Sequence, residues 1–116
     1  MREIKFQAWD LDAEQMYNWE SIKQLFHEHL EHPRVKVRQY TGLKDKNGRE
    51  IYEGDVVKGI RDSHWHGGYD IVLGKVEFDE ETCSFRVDGG GLLYRIEEIE
   101  VIGDVYRNPE LLEASE

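Results

Sequence analysis

The sequence has one cysteine, two prolines and no apolar run near the roughly 20 residues needed to span a bilayer. Each shortage excludes something. Cys83 alone cannot close an internal disulfide, which suits a reducing compartment. The opening MREIKFQAWD carries charges every few residues and no hydrophobic stretch, so no secretory signal is expected there. With no internal repeat and no Pro/Ser-rich linker, residues 1–116 are expected to form one domain. Positive charge is also scarce. Fifteen basic residues face twenty-five acidic ones, a net charge of −10 that repels phosphate backbones and disfavours nucleic-acid binding.

What is present is enough for a core. Three Trp, six Tyr and four Phe, with 39% hydrophobic residues, separate this chain from disordered ones. A cytoplasmic location is expected, with no membrane contact. The densest positive cluster is Arg34, Lys36 and Arg38, at alternate positions that share one face of a strand. It reads as a solvated strand face.

Along the chain, Ile4, Phe6 and Ala8 alternate with polar residues, and Met16 to Trp19 reads as the return strand of a hairpin with its loop at Asp12 to Gln15. Ser21 and Gln24 fit a capping box. Ile22, Leu25, Phe26 and Leu30 follow at helical spacing until Pro33 ends the pattern. From Val35 the period becomes two. Turns are expected at Asn47-Gly48 and Gly54-Asp55, with a strand from Val56. RDSHWHGGYD reads as a loop, and residues 71–78 and 83–87 as a hairpin around an acidic turn. Leu93 to Ile96 and Ile99 to Ile102 read as short strands, and Asn108-Pro109 as the start of a short C-terminal helix. The expected fold is mainly β: a small antiparallel, SH3-like barrel or a strongly bent sheet, with one inserted amphipathic helix.

Three stretches are more specific. IKFQAWD, QYTGLKDKNGREIYEGDVVK and IEVIGDVYRNPELLE, in that order, resemble the YopX family of phage and prophage proteins. The resemblance implies a small β-rich protein of the bacterial cytoplasm. It brings no activity, cofactor or catalytic residue, and none is expected here.

The nine residues LFHEHLEHP invite a metal reading. On a helix His29 and His32 are neighbours, and Glu28 adjoins His32, so Glu28, His29 and His32 form the candidate ligand set. The zincin pattern H-E-x-x-H is not met, because Glu31 occupies the fifth place counted from His27. His29 also continues the apolar stripe, so solvated histidines on a helix edge are the simpler account. Cys83 falls on the apolar side of its strand, as a buried small hydrophobe would. Gly89 to Gly91 has no P-loop lysine after it.

The remaining function is a non-catalytic binding module that engages a protein partner or a second copy of itself. Its candidate surface is Tyr40, Thr41, Leu43, Lys44, Asp45, Tyr52, Trp65 and Tyr69. The turn-rich segment has the more direct reading as structure, with glycines and aspartates shaping turns and Ile51 and Tyr52 packing. An acidic DNA mimic is the alternative, against which the carboxylates are dispersed among lysines.

Overall fold

The computed structural model of the chain describes residues 4–63 and 67–113. It is mainly β and antiparallel throughout. The first sheet contains β1 (Phe6–Asp10), β2 (Gln15–Tyr17), β3 (Val35–Lys44) and β4 (Glu50–Tyr52), in the order β2-β1-β3-β4. The second contains β5 (Asp55–Asp62), β6 (Tyr69–Asp79), β7 (Ser84–Val87), β8 (Gly91–Leu92) and β9 (Glu97–Asp104), in the order β8-β7-β6-β5-β9. This second sheet curls into a half-barrel; both sheets are open, so the bent-sheet expectation describes them and a closed barrel does not.

A helical stretch joins β2 to β3: α1 (Trp19–Ile22), a 3-10 turn (Lys23–Leu25) and α2 (Phe26–Glu31). Its start differs from the expected capping box. Asn18 is the N-cap, and its Oδ1 accepts from both the backbone N–H and the hydroxyl of Ser21. The apolar stripe also differs. The 3-10 turn rotates the helix, so Ile22 is buried and Phe26 and His29 half-buried, while Leu25 and Leu30 face solvent. Phe6, Trp19 and Phe26 form an aromatic cluster, with Phe6 and Phe26 ring centroids 4.6 Å apart.

That cluster explains why β3 breaks simple alternation. Phe6 pairs with Gln39 and Ala8 with Val37 on the face covered by the helix; Gln7 pairs with Arg38 and Trp9 with Lys36 on the other. The second face meets the rest of the protein, where Trp9 packs 6.2 Å from the Tyr106 ring. Strand β3 is therefore covered on both sides at Arg38 and Tyr40, and the solvated face expected of Arg34, Lys36 and Arg38 holds only for the first two.

The main core lies inside the half-barrel. Val57, Val72, Val76, Phe85, Val87, Leu93, Ile96 and Val101 pack there with Ile51 from β4. Close approach of backbones requires glycine at Gly74, where a Cβ would stand 2.4 Å from the carbonyl oxygen of Asp88. Three further local readings change. Leu93–Arg95 is a 3-10 turn rather than a strand. The loop at 61–70 is shorter than expected, since β5 runs to Asp62 and β6 starts at Tyr69. Cys83 is exposed with φ at +51°, because Asp79 pairs with Ser84 and the four-residue turn 80–83 lies one residue further along than expected.

Candidate functional site

Candidate side chains lie in the turn-rich segment, in the histidine stretch and on the outer face of the half-barrel.

The turn-rich segment ties the two sheets together. Asp45 is buried, and its carboxylate accepts from the backbone N–H groups of Asn47 (2.9 Å), Arg49 (2.8 Å) and Val101 of β9 (3.0 Å). Burial alone would raise this carboxyl; the three N–H groups outweigh it and hold the group below the usual carboxylate range. Thr41 Oγ1 donates to the carbonyl of Ile51 at 2.8 Å across the bulge between β3 and β4. Gly54 follows with φ at +88°, donating to Val76 and accepting from Val105.

At the end of this segment the chain buries three charged side chains in one place. Arg38 is 2% exposed, Asp55 1% and Asp104 0%. Arg38 Nη2 donates to Asp55 Oδ1 at 2.6 Å, and its Nε donates to Gln7 Oε1 at 2.9 Å. Its Nη1 lies 3.9 Å from Asp104 Oδ2 and has no hydrogen-bond partner among the described residues. Asp55 Oδ2 accepts from the N–H of Tyr52, and Asp104 accepts from the N–H groups of Tyr106 and Arg107 and from the Arg107 side chain. The Tyr52 and Tyr106 rings flank the guanidinium at 5.2 and 6.0 Å. Burial pushes the Asp55 carboxyl up, opposed by the Arg38 charge and the Tyr52 N–H. Burial likewise acts on Asp104, where the N–H and guanidinium of Arg107 prevail and lower it. The Tyr52 phenol is pushed up to about 12, by burial first and by Glu50 second. Closed to ligands, this cluster is a clamp between sheets rather than a reaction centre.

The sequence signal for it was present but divided. Gly-Asp-Val occurs at 54–56 and again at 103–105, each time placing a carboxylate at a strand end where only a partner makes burial tolerable.

Of the expected partner surface, Tyr40, Thr41, Asp45 and Tyr52 are buried and hold the fold together. They are corrected to structural roles. Leu43, Lys44 and Tyr69 are exposed, and Trp65 lies outside the described residues.

The histidine stretch leaves the helix before its last histidine. The helix ends at Glu31, and His32 is extended, with its Nδ1 accepting from the N–H of Arg34 at 3.1 Å. His29 and His32 line one groove of about 480 Å³ with Asp10 and Tyr17, and exposed Glu28 is not among its walls. The Asp10 carboxylate is already engaged by the N–H groups of Asp12 and Ala13 and by the Tyr17 hydroxyl. Among the described residues, no three His, Cys, Asp or Glu side chains stand so as to hold a metal ion. His64 and His66, which could have joined them, lie outside the described residues.

The outer face of the half-barrel is different in kind. Tyr69, Ile71 and Leu73 follow at alternate positions on β6, and Ile60 pairs directly with Ile71 across β5. Ile71 is 77% exposed and Tyr69 58%. Lys58, Asp62 and Glu97, all exposed, border this strip through their pairings with Leu73, Tyr69 and Ile60.

The family model for YopX protein matches residues 5–113. The chain belongs to the YopX family. A solved structure, "Crystal structure of protein EF1440 from Enterococcus faecalis", matches with a TM-score of 0.66 at 21% identity, covering 97% of this chain and 99% of that one. That likeness shows the fold. No curated protein matches the chain. Among the described residues of this YopX protein, no helix is long and apolar enough to cross a membrane.

Proposed function

We propose that this YopX protein is a non-catalytic binding module of phage or prophage origin that acts in the bacterial cytoplasm by engaging another protein chain. The strip of exposed Tyr69 and Ile71, continued by half-buried Leu73 and Ile60, carries the reading. An isoleucine left 77% exposed on a sheet face, beside a tyrosine and rimmed by charges, has the anatomy of an interface core inside a polar border. The occupant is a partner protein or a second copy.

Two measurements test it. Light scattering at micromolar concentration separates self-association from a monomer awaiting a partner. A pull-down from host lysate then compares the wild type with Ile71→Asp at low and high salt. Capture that resists salt and is lost with Ile71→Asp is the expected result. Capture that disappears at high salt yet ignores Ile71→Asp overturns it in favour of acidic mimicry.

A further inference from the structure

Beyond the apolar strip, one end of the same sheet holds a cleft of about 700 Å³. It lies where the ends of β5 and β6 approach β7, β8 and the 3-10 turn that follows. Arg61, Arg86 and Arg95 line it, three of the eight arginines in a chain of net charge −10. They arrive from β5, β7 and the 3-10 turn, so the fold, rather than a local run of sequence, gathers them.

The arginines are unequally engaged. Arg86 has a carboxylate at 3.5 Å, from Asp79. Arg61 and Arg95 have none within ion-pair distance among the described residues, despite twenty-five acids in the chain. Arg61 is positioned by backbone instead: its Nη1 donates to the carbonyl of Gly90 at 2.7 Å, which uses one of five donors. The glycines permit this. A Cβ at Gly90 would stand 2.5 Å from Val72 Cγ1, and one at Gly91, where φ is +91°, would stand 3.4 Å from Arg61 Nη1. The Arg95 guanidinium sits 5.7 Å from the ring of exposed Tyr94, at the mouth of the same cleft.

A pre-positioned guanidinium fork matches an oxyanion. Three carboxylates, Asp62, Asp70 and Glu97, also line the cleft. They oppose an extended polyanion and suit a ligand with one anionic group and several N–H or O–H donors. The exposed Tyr94 ring offers a flat surface for stacking. We infer that the cleft binds a small phosphate monoester carrying a planar ring, the chemistry of a mononucleotide, with Arg61 and Arg95 on the phosphate and Tyr94 against the ring.

Calorimetric titration of the full chain with AMP, GMP, CMP and UMP, and with inorganic phosphate as control, tests this. At least one mononucleotide is expected to bind with Kd below about 1 mM. Arg95→Gln, at the exposed rim, and Arg61→Gln are each expected to weaken it by roughly tenfold while the melting temperature shows the fold retained. Tyr94→Ala should weaken the mononucleotide and leave phosphate unaffected. Should Arg61→Gln fail to fold, Arg95→Gln and Tyr94→Ala decide. Absence of binding by all four nucleotides overturns the inference, as does binding that ignores both arginine substitutions. Equal affinity for phosphate and mononucleotides overturns the role of the ring.

Discussion

Arg38 Nη2 and Asp55 Oδ1 lie 2.6 Å apart, with both side chains closed off from solvent. A pair so placed is costly to make and costlier to break, because each partner left alone is a buried charge. Arg38→Met is expected to reduce stability by about 3–5 kcal/mol, read as a lower urea midpoint at unchanged slope. The double variant Arg38→Met/Asp55→Asn should recover at least about 1 kcal/mol against the sum of the two single losses. Strictly additive losses would mean that the two groups do not depend on each other.

Acid should act through the carboxylates held low. Asp45 and Asp104 both have lowered pKa values, so each adds stability that is complete above the unfolded carboxylate value of about 3.9 and is lost as pH falls through the folded one. Asp55 runs the other way: with its pKa raised, stability falls as pH rises from the unfolded value through the folded one. Asp45→Asn isolates one contribution. Its amide cannot accept from all three N–H groups, so it should lose about 1–3 kcal/mol near neutrality. With no charge to titrate, it should also show a shallower decline between about pH 5 and about pH 3. Urea midpoints at the two pH values check both; parallel declines for variant and wild type would assign the acid sensitivity elsewhere.

Two glycines with nearly the same backbone angle separate strain from crowding. Gly48 has φ at +84° and open space where a Cβ would go; Gly54 has φ at +88° and the Tyr106 ring 2.9 Å from that position. Gly48→Ala should cost about 1 kcal/mol, the left-handed penalty alone. Gly54→Ala should cost more, by a further 1–3 kcal/mol or roughly that for overpacking against Tyr106. Thermal unfolding of the two variants side by side tests the difference, and equal losses would show that Tyr106 gives way freely.

Much of this was legible in the chain. The first hairpin, the helix, the turn at Gly48 and the β6–β7 hairpin follow from period and turn chemistry, which act over a few residues. Elsewhere the deciding contact was distant. Arg38 looks like a solvated strand residue until Asp55 and Asp104 are beside it, and no local pattern announces either. Leu25 looks like core until a 3-10 turn rotates it outward. Tyr40 and Tyr52 look like recognition aromatics, but their rings lie 5.4 Å apart across the β3–β4 pair, with Lys5 and Arg38 against them. Arg61, Arg86 and Arg95 fall singly among acidic residues, so their convergence depends on strand order, which alternation does not encode. The histidines are conspicuous in sequence, and the helix ends at Glu31, leaving His32 extended beside the groove that His29 also lines.

One consequence of Asp104 concerns the order of synthesis. It lies at the end of β9, which gives its Val101 N–H to Asp45 and lies along β5. During translation every other strand emerges before this one. A nascent chain holding β1 to β8 thus has Arg38 without one of its two acids, Asp45 without one of its donors, and β5 bare along one edge. Fragments ending before Asp104 are therefore expected to be open to proteolysis as a whole rather than at their ends, which limited digestion would show.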